Sequence, residues 1–357
     1  MNEAALEQRA QAIEDSGLKR ILVPLEFTGP TTARVHDRDV HVFSSNDYLG
    51  LAWNRQVRNA WRGGGCGSSR LLTGTRDAHV RLEAALEELF GQPALVFSTG
   101  YQANLAVLTT LFHAGNQVCS DAFNHASLID GLRLSKAHKR IQPHGENPPE
   151  DNDFCGLVTE GLFSMDGDTP DLKAWSRAGW LVVDEAHAVG AVGPLGRGTA
   201  AEQGVKAEVI IGTFGKAYGA AGAFVIGPPA LKELMISTAR SFVYTTALAE
   251  PVVHAALEGL VQASNERRDR LADRTHRFRE GLDQLGLPTR GQHHIVPVLT
   301  REKTMRIAHE LSEQGVFVPG IRSPTVPSGE ERLRFSISSE HTDDQLDYAL
   351  EVLEKCT

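Results

Sequence analysis

From Ala94 onward, short apolar runs alternate with segments of helical periodicity, and this alternation limits the possible folds more than any other feature. The runs are Leu95-Val96-Phe97, Val118-Cys119, Leu157-Val158, Trp180-Leu181-Val182-Val183, Val209-Ile210-Ile211 and Ala223-Phe224-Val225-Ile226. Each is continuously apolar, so both faces of each strand need cover. That condition is met by a mostly parallel sheet between two layers of helices. A helix carrying Leu105, Leu108 and Leu111 and another starting near Ala126 supply part of the cover. An α/β fold is therefore expected, with a large domain over 41–250. Before it, residues 3–20 read as a weakly amphipathic helix, followed by an arm with Pro24 and Pro30 that completes a 1–40 segment and a hairpin from Ala33 to Phe43. After it comes a long helix from about Ala247 to Arg267, then helices marked by Leu271, Phe278 and Leu282 and by Met305, Ala308 and Leu311. Strands near 295–299, 316–321 and 332–338 and a last helix with Leu346, Leu350 and Leu353 make 251–357 a smaller α+β domain.

In doubly wound sheets, ligands sit beyond the carboxyl ends of the strands. Three such ends carry unusual groups here. Phe97-Ser98-Thr99-Gly100-Tyr101 passes from strand to helix, where Gly100 admits a ligand to the backbone and free amides can hold a phosphate. It also reads as a plain βα turn. Asp184 ends an apolar strand, where a carboxylate needs a cation or donor, and His187 follows on the same turn. Asp184 could equally cap a helix. Thr213-Phe214-Gly215-Lys216-Ala217-Tyr218-Gly219 presents one lysine among small residues after the Val209-Ile210-Ile211 strand. A P-loop is excluded, because Ile210 and Ala217 stand where a glycine and a Ser or Thr are required. A lysine at a strand end suits Schiff-base chemistry. A phosphate turn, an acidic partner and a lysine in this order are what pyridoxal phosphate requires. Near the carboxyl terminus, Arg334 points away from the apolar face of its strand and could grip a carboxylate, or simply be solvated.

A formal charge of −9 argues against a nucleic-acid partner. The cysteines, Cys66, Cys119, Cys155 and Cys356, have no metal-ligand spacing, which points to a reducing, cytoplasmic setting. Neither a signal peptide nor an apolar run long enough for a membrane span is expected. No metal site is expected, and His293-His294 reads as surface.

These motifs, with Ser45-Asn46-Asp47-Tyr48-Leu49-Gly50-Leu51, Gly67-Ser68-Ser69-Arg70-Leu71-Leu72-Thr73-Gly74-Thr75 and Thr159-Glu160-Gly161-Leu162-Phe163-Ser164-Met165-Asp166-Gly167-Asp168, resemble the α-oxoamine synthases from about Leu18 to the end of the chain. Those are fold-type I pyridoxal phosphate enzymes that condense an amino acid with an acyl thioester and release carbon dioxide. Ile321-Arg322-Ser323-Pro324-Thr325-Val326-Pro327 is most similar to the branch that uses L-alanine and a pimeloyl thioester, on coenzyme A or acyl carrier protein, in biotin synthesis. The resemblance implies Lys216 as covalent anchor and base, Asp184 at the ring nitrogen, His187 and Ser164 at the phenolic oxygen, and His125 over the ring. It implies that His187 or His125 assists at the thioester oxygen. It implies that the Gly100-Tyr101 backbone, Thr213 and, from the second subunit of a homodimer, Thr246 contact the phosphate. Arg334 would hold the amino-acid carboxylate, with Arg20, Asn46, His125 and Thr325 touching substrate. Ser323 replaces a usual proline, and the stretch between Asn54 and Gly67 is shorter than the family's, close to where the acyl chain should enter. Sister enzymes acting on glycine or serine, and a non-catalytic subunit of the same fold, remain open.

Overall fold

The computed structural model describes residues 2–150, 153–177 and 179–357. Its centre is a seven-stranded sheet in the order Ala94–Phe97, Ala223–Ile226, Val209–Thr213, Trp180–Asp184, Gly156–Glu160, Gln117–Asp121 and His138–Gln142. Pairing is parallel from Val209–Thr213 through to His138–Gln142, while Ala223–Ile226 runs antiparallel to both neighbours. The apolar runs are continuous because both faces are covered. Leu95, Phe97, Val158 and Val182 pack with Ala103, Val107 and Leu108 in one cluster; Ala94, Val96 and Phe224 pack with Leu82, Leu86 and Val253 in another.

Register decides where the chemistry lies. Ala223 pairs with both Phe97 and Thr213, which brings the ends of those two strands level on one edge. Glu160 pairs with Asp184, and Asp184 with Ile211. The turns after Phe97, Asp121, Glu160, Asp184 and Thr213 therefore open on the same side.

The Thr32–Val35 and Arg38–Val42 hairpin pairs in parallel with Val316–Phe317, joining the chain's beginning to its last third. Ile295–Leu299, Arg332–Ser336 and Gly320–Ile321 form a three-stranded antiparallel sheet. The first helix stops at Asp15, not Arg20, because Ser16 caps it and Gly17 turns left-handed. The long helix expected from Ala247 to Arg267 is two, Glu250–Gln262 and Asn265–Gln284. Ala263 leaves helical geometry, and the Ser264 hydroxyl accepts from the Arg267 amide to start the second. In Thr304–Glu313 the buried face carries Ile307 and Leu311, while Met305 is exposed. The expected strand at 316–321 breaks at Val318-Pro319, and its halves join different sheets.

Candidate active site

Lys216 leaves the sheet one turn beyond Thr213, between buried Phe214 and Ala217. Gly219 closes that turn through its amide to the Lys216 carbonyl at 3.0 Å. It has φ +65°, and a Cβ there would lie 2.3 Å from the Ala52 nitrogen, so only glycine fits. Burial pushes the Lys216 amine down to about 8, against the opposing pull of Asp184 and Glu160 and with a smaller push from Arg334.

Asp184 is buried at its strand end and held by two donors. Asn104 Nδ2 donates to Oδ2 at 2.7 Å and the Ala186 amide to Oδ1 at 2.9 Å. On the same turn His187 sits with Nδ1 2.6 Å from the Tyr48 hydroxyl. Burial and then the Lys216 and Arg334 charges hold the His187 ring well below its ordinary range, so it is neutral. The Tyr48 hydroxyl donates to Asn46 Oδ1 at 3.0 Å. The same hydroxyl therefore links the His187 ring to Asn46. His294, expected at the surface, is buried: its Nε2 donates to the His187 carbonyl at 3.1 Å and its ring lies 3.9 Å from that of Tyr48. His293 is partly buried beside Glu202. A polar pair suggests exposure, but the strand beginning at Ile295 carries His294 inward against the His187 carbonyl.

The phosphate turn is open. Thr99 caps the Gly100–Leu111 helix, its hydroxyl accepting from the Gln102 amide, and its carbonyl takes the Ala103 amide. This leaves the Gly100 and Tyr101 amides without a partner among the described residues, with nothing within 4 Å of a Cβ built on Gly100. The Tyr101 side chain turns away to donate to Asp130. Thr213 is level with this turn, but its hydroxyl donates to the Gly222 carbonyl at 2.9 Å and would have to rotate to serve a phosphate. Thr246 is exposed, and its carbonyl accepts from Ser98 of the same chain at 3.2 Å.

Arg334 is brought from the carboxyl-terminal sheet, 5% exposed. It donates through Nε to the Ser164 carbonyl, through Nη1 to Ser336 Oγ at 2.7 Å and through Nη2 to Asn46 Oδ1 at 3.2 Å. All three acceptors are neutral, so the guanidinium is rigidly aimed without an acidic partner among the described residues. Its neighbour Arg332 is wholly buried and paired to Asp166 and Glu330. A cleft of about 790 Å³ joins the remaining groups, lined by Arg20, Asn124, His125, Ser164, Asp166 and Thr325. Arg20 donates to Thr325 at its mouth, at 3.2 Å. His125 is exposed on its wall as the cap of the Ala126–Ser135 helix.

Two groups here carry no expectation from sequence. Glu160 is buried next to Asp184, and burial, then the Asp184 charge, pushes its carboxyl up to about 8. A carboxylate closing the Leu157-Val158 run was a readable signal. His144 gave none, because its partners are remote in sequence. It bridges Asp121 (3.1 Å from Nδ1) and Asp168 (2.9 Å from Nε2) and stacks on Phe123 at 4.4 Å, tying the turn that carries His125 to the one that carries Ser164. Burial alone would lower its pKa, but the bonds to both carboxylates and their charges outweigh it and raise it to about 10. The folded value lies above the unfolded one, so this stabilisation is complete below about pH 6.5 and lost as pH rises toward 10. Thermal unfolding of His144→Gln followed from pH 6 to 10 is expected to show a shallower fall than wild type; parallel curves would refute the clamp.

The donor set suits pyridoxal phosphate: an anion-ready helix start, a lysine made less basic by burial, and a fixed carboxylate share one strand edge. Among the described residues no His, Cys, Asp and Glu group could hold a metal, and no helix is long and apolar enough to cross a membrane. The Aminotransferase class I and II family model matches residues 38–353. An 8-amino-7-oxononanoate synthase of Stutzerimonas stutzeri is 42% identical, over 88% of this chain and 87% of its own. Among solved structures, Sphingomonas wittichii serine palmitoyltransferase superposes with a TM-score of 0.90 at 29% identity, covering 99% of this chain and 96% of its own. 8-Amino-7-oxononanoate synthase from Francisella tularensis superposes at 0.76, also at 29% identity, covering 88% and 97%.

Proposed function

Because the chain belongs to the aminotransferase class I and II family, we propose that it is a pyridoxal phosphate enzyme of biotin synthesis, an 8-amino-7-oxononanoate synthase. It joins L-alanine to a pimeloyl thioester, on coenzyme A or acyl carrier protein, with release of carbon dioxide and free thiol. The observation that carries this reading is a less basic Lys216 close enough to a fixed Asp184 and to Arg334 for both charges to act on it.

When bound, the cofactor supplies an electron sink for the bond broken at the amino-acid Cα. Lys216 anchors it through Nζ. The Lys216 amine would also serve as the base at the substrate Cα, because an amine with a pKa near 8 is substantially neutral at mildly alkaline pH. Asp184 keeps a proton on the ring nitrogen, and its two donors prevent it from turning away. The Gly100 and Tyr101 amides with Thr213 would hold the phosphate, joined by Thr246 from the second subunit. His187 and Ser164 serve the phenolic oxygen, and His187 stays neutral for that task. Arg334 fixes the substrate carboxylate, and its three neutral acceptors set the guanidinium plane in advance. Arg20, Asn46 and Thr325 contact the substrate, and His125 closes over it from the cleft wall.

The protein acts in the cytoplasm as a homodimer. Ile21 and Leu22 are 77% and 96% exposed beside Arg20 at the cleft mouth, which suits burial against a second copy. A substrate panel tests the assignment. L-Alanine with pimeloyl thioester is expected to exceed serine with palmitoyl thioester, or glycine with acetyl or succinyl thioester, by on the order of 10²-fold in kcat/KM. Preference for any of the other pairs would reassign the enzyme within the family.

A further inference from the structure

We propose that Asn104 is a positioning residue that fixes two cofactor-facing groups at once, the Asp184 carboxylate and the ring tautomer of His125. The proposal rests on the reading of those two groups given above. Asn104 lies in the Gly100–Leu111 helix and is 2% exposed. Its Nδ2 is 2.7 Å from Asp184 Oδ2 and 2.8 Å from Ser127 Oγ. An amide nitrogen has two hydrogens and no acceptor lone pair, so both contacts are donations. The opposite amide orientation would set two oxygens against each other at Asp184.

Direction then propagates. Ser127, itself buried, accepts from Asn104 and keeps its own proton for His125 Nδ1 at 2.7 Å. The same Nδ1 also accepts the Ser127 backbone amide at 3.2 Å. A nitrogen receiving two donors carries the lone pair, which places the proton of neutral His125 on Nε2. His125 therefore offers an N–H, rather than an acceptor, to whatever occupies the cleft.

The arrangement carries a local cost that packing alone would not require. Asn104 Oδ1 is buried without a partner among the described residues. Leaving a buried carbonyl unmet is destabilising, and an apolar side chain at this position of the core would avoid it. What Asn104 provides in return is two donors at one point.

Nitrogen-15 histidine NMR on the full-length, cofactor-loaded protein reads the tautomer directly, and a pyridoxal phosphate titration reads affinity. Wild type is expected to show His125 as the Nε2–H form. In Asn104→Asp the introduced carboxyl accepts the Ser127 proton, turning it away from the ring. The Nδ1–H form should then gain population, and cofactor affinity should fall about 10-fold as Asp184 loses its amide donor. Ser127→Ala separates the two arms. The Nδ1 resonance should move toward that of an unbonded acceptor nitrogen while affinity stays within about twofold of wild type, since the Asn104–Asp184 bond is untouched. An Nδ1–H tautomer in wild type overturns the proposal, as does an unchanged tautomer or an unchanged affinity in Asn104→Asp. Should that variant not fold, an unshifted Nδ1 resonance in Ser127→Ala overturns it. None of these readouts depends on which substrate is turned over, so a failed substrate panel leaves them intact.

Discussion

Replacing Lys216 with alanine is expected to lower turnover of L-alanine and pimeloyl thioester by at least about 10⁴-fold, because the proposed mechanism makes one side chain both anchor and base. The lysine emerges at the end of Val209–Thr213 and is partly buried among groups that fold without it, so the variant should unfold near the wild-type temperature. Its burial removes the incentive to stay charged, which is why the amine is lowered to about 8 rather than standing at its ordinary value. No other amine is available on the same turn. The purified variant should also lose the visible absorption of covalently held pyridoxal phosphate. Steady-state assay and absorbance together check the result, and near-normal turnover would remove Lys216 from the mechanism.

Asp184→Asn tests the other end of the cofactor. The substitution keeps shape but removes the charge proposed to hold a proton on the ring nitrogen, so kcat is expected to fall on the order of 10³-fold. The KM for alanine should move little, because the residue proposed for the substrate carboxylate is Arg334, held by Ser164, Ser336 and Asn46 rather than by Asp184. Removing a charge beside Glu160 offsets part of the cost of leaving either the Asn104 amide or the Ala186 N–H without its acceptor, so the variant should fold with a modest loss of stability. A kcat within tenfold of wild type, measured at saturating alanine, would show that Asp184 only shapes the pocket.

Much of this site was readable because it is local. Asp184, His187 and Lys216 each lie within a few residues of an apolar strand, and parallel strands bring such ends to one edge by rule. Thr213 was half readable: its place at a strand end follows from the apolar run before it, while its level with Phe97 and its bond to Gly222 depend on the antiparallel return of Ala223–Ile226. The helix break at Ala263 was marked by Ser264, a good cap, but the charged residues that follow suit a continuing helix equally well.

The sequence by itself determined the layered sheet, the strand ends that bear chemistry, and the lysine–aspartate pair, since periodicity and strand termini are properties of short segments. Only the tertiary structure decided which distant groups complete them. Arg334 reaches Asn46 and Ser164 across hundreds of residues. Its neighbour Arg332 can be wholly buried only because Asp166 and Glu330 arrive to neutralise it. His144 becomes a cationic clamp when Asp121 and Asp168 close on it, and Asn104 becomes a junction when Asp184 and Ser127 meet its amide. The physical reason is common to all four. A buried polar group is tolerable only with its partners in place, and those partners are chosen by how the chain packs, not by what stands beside the group in sequence.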